Sequence, residues 1–506
     1  MFMIAREVWK MLCRWGVVVG FLLALCFSGP PWSWAGDSDE GPMGFPGKAL
    51  FPPSGETTLH PHTVPVLPPV EWPQEGGGAS RNPVFQISGA FGQSGEWGKR
   101  FHVASLVSGK DTPENEDFYS GIVESGGTLW LASTQGDVLA VSAETGDVLW
   151  RRHLGGSFFS APVTGPRTLY VASGDPGVTV SHLVLYTRTR RLVRGNGNER
   201  IWALSRRTGA SRWTVRLRGG VLGSPVLLPH TVMMATGRGH LVFLDRQDGH
   251  RVFDLPIDSR SFGWASPVEE GRQVVLAQEN PPLYQAISLD GPRRIWRFQW
   301  KGTRTWDHFF IGTPLLSEGV SIGVVRTHRP LRDVVVALDI RTGTLLWKTL
   351  FPAGQADRVE DHSLPVLADG VVYVPSGSAQ ALIALDVQSG KKLWMIRLPE
   401  PPETGGAVIG QLLLLPLPDG TLLSIDRTSG VVVAREKLSA SFGPHPPVVV
   451  GNRLFFAGRD GQVKAMMIDD LGRKIGDLAG KVWLMPVSGK GKGQLSSDSA
   501  SPLPSS

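Results

Sequence analysis

The chain has 506 residues, of which 41% are hydrophobic and 19% charged, a balance that excludes a disordered chain and fits a folded one. Its formal charge of +6 is mild for this length and gives no argument for nucleic acid. Its 62 glycines and 39 prolines favour turns over long helices, because Gly supplies positive φ and Pro breaks helices.

The first 35 residues read as an export signal. Arg6, Lys10 and Arg14 precede the apolar run Trp15 to Phe27, and Ser33-Trp34-Ala35 offers small residues for cleavage after Ala35. The apolar run is shorter than the roughly 20 residues of a membrane span. Leu23-Ala24-Leu25-Cys26 is similar to a lipobox, with Leu where a small residue is usual. Both cysteines, Cys13 and Cys26, lie in this segment. The mature chain is therefore expected to lack disulfides, thiolate metal sites and haem attachment. Residues 36–83 are rich in Pro and Gly and read as a tether. A Gly/Lys/Ser-rich tail, 486–506, closes the chain.

Between tether and tail the sequence repeats itself. Apolar segments end in a turn and an aromatic residue at Trp150, Trp213, Phe253, Trp296, Trp347 and Trp394, with Ala434 in the corresponding place of a seventh copy and a degenerate eighth near Asp469. The turn glycines are Gly146, Gly209, Gly249, Gly291, Gly343, Gly390, Gly430 and Gly472. A second marker precedes each unit: Ser-Pro-Val at Ser224 and Ser266, with variants at Ser120, Ser160, Thr313, Ser363, Gly406 and Pro446. Each unit reads as four short antiparallel strands. One such unit cannot bury both of its faces, whereas a ring of them can. The expected fold is all-β, an eight-bladed β-propeller of four-stranded repeats over residues 84–485. Val84 to Phe101, with Trp97, resembles the last half of a unit and is expected to complete the final blade.

The repeats resemble the PQQ-like repeat, A-x-D-x-x-T-G-x-x-x-W, most closely at Ala337-Leu338-Asp339 with Thr342-Gly343 and Trp347, and at Ala384-Leu385-Asp386 with Gly390 and Trp394. Two groups of propellers carry it: the quinoprotein dehydrogenases and BamB, the scaffold of the outer-membrane barrel-assembly machine. In either group the resemblance implies that Trp150, Trp213, Trp296, Trp347 and Trp394 dock neighbouring blades, each indole N–H reaching a backbone carbonyl. Asp245, Asp339, Asp386 and Asp426 are expected to hold local backbone N–H groups.

The dehydrogenase resemblance would imply PQQ and Ca²⁺ on the central axis. The family's Cys-Cys disulfide is impossible here, and Trp306-Asp307-His308 is the one segment similar to the dehydrogenases' Trp-Asp entry into a blade. The favoured reading has no cofactor, no metal and no catalytic residue. It rests on Val215, Leu217, Arg218 and Gly219, a stretch that looks like the L-x-L-R-G by which BamB engages the periplasmic domains of its barrel partner. Val215 stands where Leu is usual, two extra residues precede the Ser-Pro-Val marker, and Asp258 is the nearest counterpart to BamB's paired acids. The connection from Val215 to Leu222 is expected to present Arg beside exposed apolar side chains, an interface composition. The Arg-rich segment 187–200 reads as a solvated hairpin tip or as a contact with anionic lipid or an acidic partner. The partners expected are envelope proteins, among them a BamA-like barrel assembly protein, with peripheral membrane association and a periplasmic or outer-membrane-associated location.

Overall fold

The computed structural model describes residues 84–85, 104–105, 118–175 and, between 195 and 467, all but 196, 258–264, 279–282, 301–307, 318, 329, 355–363, 439–440, 452 and 460. The predicted signal, tether and tail, most of the Arg-rich segment, Trp97, Asp258, Trp306 and Asp307 lie outside the described residues. Among the described residues every regular element is a strand, and no helix is long and apolar enough to cross a membrane.

The strands form eight sheets, the eight blades of the propeller that the repeats predict. Blade 1 runs Val123–Ser125, Thr128–Ala132, Asp137–Ser142 and Val148–His153. Blade 2 spans Val163–Thr164 to Ser211–Arg216, blade 3 Val226–Leu227 to Arg251–Pro256, and blade 4 Val268–Glu270 to Arg293–Gln299. Blade 5 spans His308–Ser317 to Leu345–Leu350, and blade 6 Val366–Ala368 to Lys392–Arg397. Blade 7 spans Ala407–Ile409 to Val432–Lys437. Blade 8 comprises Val448–Val450, Arg453–Ala457 and Val463–Met467, with a fourth strand from the beginning of the chain. The first strands of most successive blades touch one another, which places them around the axis and the fourth strands at the rim.

The two middle strands of each blade are nearly continuous apolar runs, such as Thr128–Ala132 and Ala381–Asp386, buried along almost their whole length. They need both faces covered because a blade lies on either side of them. The rim strand is largely exposed, with burial concentrated where a motif Trp sits: in Val148–His153 only Trp150 is buried. The core is accordingly divided by blade junction, with one apolar cluster between blades 2 and 3, another between 5 and 6, and the largest joining blades 7, 8 and 1. Each large aliphatic side chain buried this way contributes about 1.5–3 kcal/mol before entropy is counted.

Ring closure departs from the expectation. The strand that completes blade 8 is Ala104–Ser105, antiparallel to Lys464 and Ala465, and not the segment Val84 to Phe101. Val84–Phe85 instead adds a fifth strand to blade 7, parallel to Val408 and Ile409. Both additions are two residues long, too short for a hydrophobic pattern to mark them.

The topology also sorts the connections. Antiparallel strands place the turns after the first and third strands of every blade at one end of the propeller. The turns after the second strand and the links to the next blade lie at the other. The repeated Thr-Gly and Ser-Gly turns line the first end, here the turn face; the longer connections line the second, the loop face.

Candidate functional site

The repeat motif has a direct geometric meaning. In blades 1, 2, 4, 5 and 6 the motif Trp pairs directly across from an alanine: Ala140, Ala203, Ala286, Ala337 and Ala384. A small residue there leaves room for the indole. The indole then reaches the turn of the next blade. Its N–H donates to the carbonyl of Arg206 (2.8 Å, Trp150), Arg246 (3.2 Å, Trp213), Ile340 (2.6 Å, Trp296), Val387 (2.8 Å, Trp347) and Arg427 (3.1 Å, Trp394). The ring lies on the turn glycine: a Cβ added to Gly343 would sit 2.6 Å from Trp296, and φ there is +71°. The turn itself is built by aspartate. Oδ1 of Asp386 accepts from the backbone N–H and hydroxyl of Ser389 (2.8 and 2.6 Å), and these bonds hold its carboxyl below the usual range. Asp339 and Asp426 accept in the same way from Thr342 and Ser429.

The Ser-Pro-Val marker forms a second girdle, near the axis on the loop face. The backbone N–H of Ala161 donates to the Ser224 hydroxyl (2.9 Å), that of Ser224 to Ser266 (2.9 Å), and that of Ser266 to Thr313 (3.0 Å). The hydroxyls of Ser120 and Ser160 donate to their own blades, at the carbonyls of Ala132 (2.8 Å) and Ala172 (3.0 Å). Read as sequence, the marker announced only the start of a strand; its hydroxyl stitches one blade to the next. Blade 7 opens instead on Gly405-Gly406 and blade 8 on Pro446, and Ser363 of blade 6 lies outside the described residues.

The candidate partner stretch lies on the loop face between blades 2 and 3. Leu217 is 2% exposed, Val221 0% and Leu222 4%, so the expectation of exposed apolar side chains is corrected. Leu217 and Val221 pack into the cluster between the two blades, with half-buried Val215 against it, because burial there removes apolar surface from water. The connection is pinned along its length. The Leu217 N–H donates to the Glu199 carbonyl (2.9 Å), Val221 to Ser173 (3.2 Å), and Gly237 to the carbonyl of Gly220 (2.7 Å). Gly219, with φ +96°, passes so close to Arg238 that a Cβ would lie 2.6 Å from its backbone nitrogen. What remains outward is cationic. Arg216, Arg218 and Arg238 are exposed. Nη2 of Arg216 donates to the Gly197 carbonyl (2.6 Å), and Arg218 makes no ion pair among the described residues. Beneath them Glu199 is 2% exposed, both of its carboxylate oxygens 3.0 Å from the N–H of Gly197. The arrangement is a rigid ledge carrying guanidinium groups, able to grip carboxylates through paired N–H donors.

Two further clusters escaped the sequence reading. On the loop face, Arg459 donates to Glu403 (3.0 Å) and lies 5.0 Å over the ring of Tyr119, which meets Phe159 edge-on. The partners come from four different connections, so no spacing reveals them. On the turn face of blade 3, Asp245, Asp248 and His250 bring ligand atoms within 4.8 Å of one another. Their carboxylates already accept from the backbone N–H groups of Gln247 (2.7 Å) and His250 (2.9 Å), as turn residues do.

With this geometry in place, the comparisons with known proteins are direct. The family model for the outer membrane protein assembly factor BamB matches residues 97–183, 177–300 and 257–417, more than half of the chain. The chain belongs to this family. Among individual relatives, the tetrathionate hydrolase of Acidithiobacillus ferrooxidans is 22% identical over 349 residues, 65% of this chain and 68% of that protein. BamB of Yersinia pestis is 24% identical over 360 residues, 69% of this chain and 85% of that protein. The quinohemoprotein alcohol dehydrogenase of Comamonas testosteroni superposes with a TM-score of 0.59 at 13% identity, over 83% of this chain and 82% of that one. At that identity the likeness is one of fold.

Proposed function

We propose that this protein is a non-enzymatic interaction scaffold of the cell envelope, with a BamB-type role in outer-membrane protein assembly. Membership of the family supports the envelope setting. The observation that carries the reading is the ledge between blades 2 and 3: a stretch resembling BamB's partner motif, fixed by backbone hydrogen bonds and turning Arg216 and Arg218 outward. Because Leu217 is buried, the contact offered by the ledge is cationic and calls for an acidic surface on the partner, which the proposal assigns to the periplasmic domains of a barrel-assembly protein. The proposal includes export, with the mature protein in the periplasm or at the outer membrane.

The test is Arg216→Glu with Arg218→Glu. Capture of a barrel-assembly protein's periplasmic domains by crosslinking is expected to fall about tenfold, the loss of roughly 1.4 kcal/mol, with the circular dichroism spectrum unchanged. Full capture by the folded double variant removes the ledge from the reading.

An enzymatic reading is kept for one specific finding, the similarity to a tetrathionate hydrolase. A dehydrogenase reading has less behind it. The quinone disulfide has no cysteines to form it beyond Cys26, and Glu403 on the loop face is committed to Arg459. Purified protein given tetrathionate, or PQQ with Ca²⁺ and an alcohol, is expected to show no turnover. Turnover in either assay overturns the scaffold reading.

A further inference from the structure

The inner strands of a propeller leave one backbone edge facing the axis, and an open edge is a template for another strand. In this structure one of these edges is taken. Val84–Phe85 runs parallel to Ala407–Ile409 of blade 7, in the register Val84 to Val408 and Phe85 to Ile409. It is the outermost member of that sheet on the axial side and also touches the inner strand of blade 6, Val366–Ala368.

Blade 7 also differs at its entry. Blades 3 and 4 enter their inner strands through Ser-Pro and blade 5 through Thr-Pro, whereas blade 7 enters through Gly405-Gly406. Gly405 donates its N–H to the Leu364 carbonyl of blade 6 (2.8 Å), and a Cβ there would lie 2.5 Å from that oxygen. That contact seats blade 7 against blade 6, the two blades whose inner strands residues 84–85 touch.

We infer that the axial edge of blade 7 is a strand-receiving site for an extended apolar peptide in parallel register, and that residues 84–85 are its occupant in cis. Affinity comes from main-chain hydrogen bonds, the mode of β-strand addition. Residues 84–85 are thereby held at the axis, and any extended peptide reaching this edge must displace them. The inference does not depend on the scaffold reading.

Two experiments on the full chain test it. The first replaces Cys13 and Cys26 by Ser and introduces Val84→Cys with Val408→Cys, whose paired strands bring the two positions within disulfide reach. Mild oxidation is expected to link them, so that the amino-terminal fragment stays attached after tryptic cleavage at Lys99 and Arg100. Val84→Cys with Val226→Cys, on the inner strand of blade 3, is expected not to link. No link in the first pair, or equal links in both, overturns the placement. The second uses Val84→Pro with Phe85→Pro, which cannot pair as a strand. Amide exchange at Ala407–Ile409 is expected to rise on the order of tenfold, while exchange at Val226–Leu227 stays put. The opened variant is expected to bind a labelled peptide copying residues 81–88 that the unaltered chain binds at least about tenfold more weakly, since its own strand competes. An unchanged exchange rate, or a peptide that ignores the opened variant, overturns the receptor.

Discussion

Two junctions of the propeller solve the same packing problem differently. Between blades 4 and 5, Trp296 is 7% exposed, stands opposite Ala286, lies on Gly343 and donates to the Ile340 carbonyl. Between blades 3 and 4 the corresponding residue is Phe253, 47% exposed and opposite Phe243. The two phenyl rings meet edge-on at 6.0 Å, and nothing comes within 4 Å of a Cβ built on Gly291 in the next blade. A large residue opposite the motif position leaves no room for the aromatic ring to lie flat, so the phenyl turns outward and the glycine loses its lid. The repeat motif is therefore a three-part device of small residue, indole and glycine spread over two blades. A match in one blade alone does not show that the device is assembled.

The comparison can be strained at its strongest point first. Blades 5 and 6 are joined not only by Trp347 but through a buried ion pair within blade 5, Arg326 and Asp333 (2.8 Å), side chains 1% and 0% exposed. Ser376 of blade 6 donates its hydroxyl to Asp333 (2.7 Å). Asp333→Ala takes the carboxylate away from a buried guanidinium, and a loss of about 3–5 kcal/mol is expected, read as a shift in denaturant midpoint. Next comes Trp296→Ala, which opens a cavity at a sealed junction and is expected to cost about 3 kcal/mol. Phe253→Ala, at the unsealed junction, is expected to cost less than about 1 kcal/mol. Equal losses for the two would show that the indole seal stabilises nothing beyond its own burial. The device can also be rebuilt. Phe243→Ala is expected to destabilise, and adding Phe253→Trp to it is expected to recover about 1 kcal/mol; no recovery means Gly291 cannot accept a ring.

The smallest effect is electrostatic. Burial raises the carboxyls of Glu269 and Glu270 in blade 4, and for Glu269 the neighbouring charge of Glu270 adds to it. The folded state then holds protons more tightly than the unfolded chain. Stability is expected to fall as pH rises from the ordinary glutamate range through the raised folded value, and to stay lowered above it. Glu269→Gln with Glu270→Gln is expected to remove that slope and to be slightly more stable than the parent at neutral pH. Melting curves across that range check it; a parent that is flat there refutes the argument.

The turn face could be read from sequence because its devices are local. Asp339, Thr342 and Gly343 act within one short span, so their spacing carries their geometry, and Trp347 recurs in phase with them although it docks on Gly390 of the next blade. The loop face could not. Leu217 and Arg218 are adjacent, yet one is buried and the other exposed, and only the neighbouring blade decides which. Arg459 and Glu403, or Asp333 and Ser376, are united by ring packing that no spacing encodes. The two short strands Val84–Phe85 and Ala104–Ser105 are defined by the edges they meet rather than by their own composition. The Ser-Pro-Val marker falls between these cases: its recurrence was plain, but the inter-blade bond of its hydroxyl requires knowing which backbone N–H stands next door.

Ala104–Ser105 completing blade 8 bears on how the molecule forms. The pairing of Ala104 with Ala465 closes a loop of roughly 360 residues, whose entropic cost grows only with the logarithm of its length. The consequence is kinetic more than thermodynamic. Seven blades can assemble from hairpins in order, but the eighth must wait for both ends of the ring, and such non-local pairing is slow. Until then the Val463–Met467 strand has an unpaired edge, the part of a nascent propeller most open to pairing with a second chain. Joining residues 104–105 directly after the last strand, with a new start before blade 1, would turn that distant meeting into a hairpin and shorten the interval of exposure.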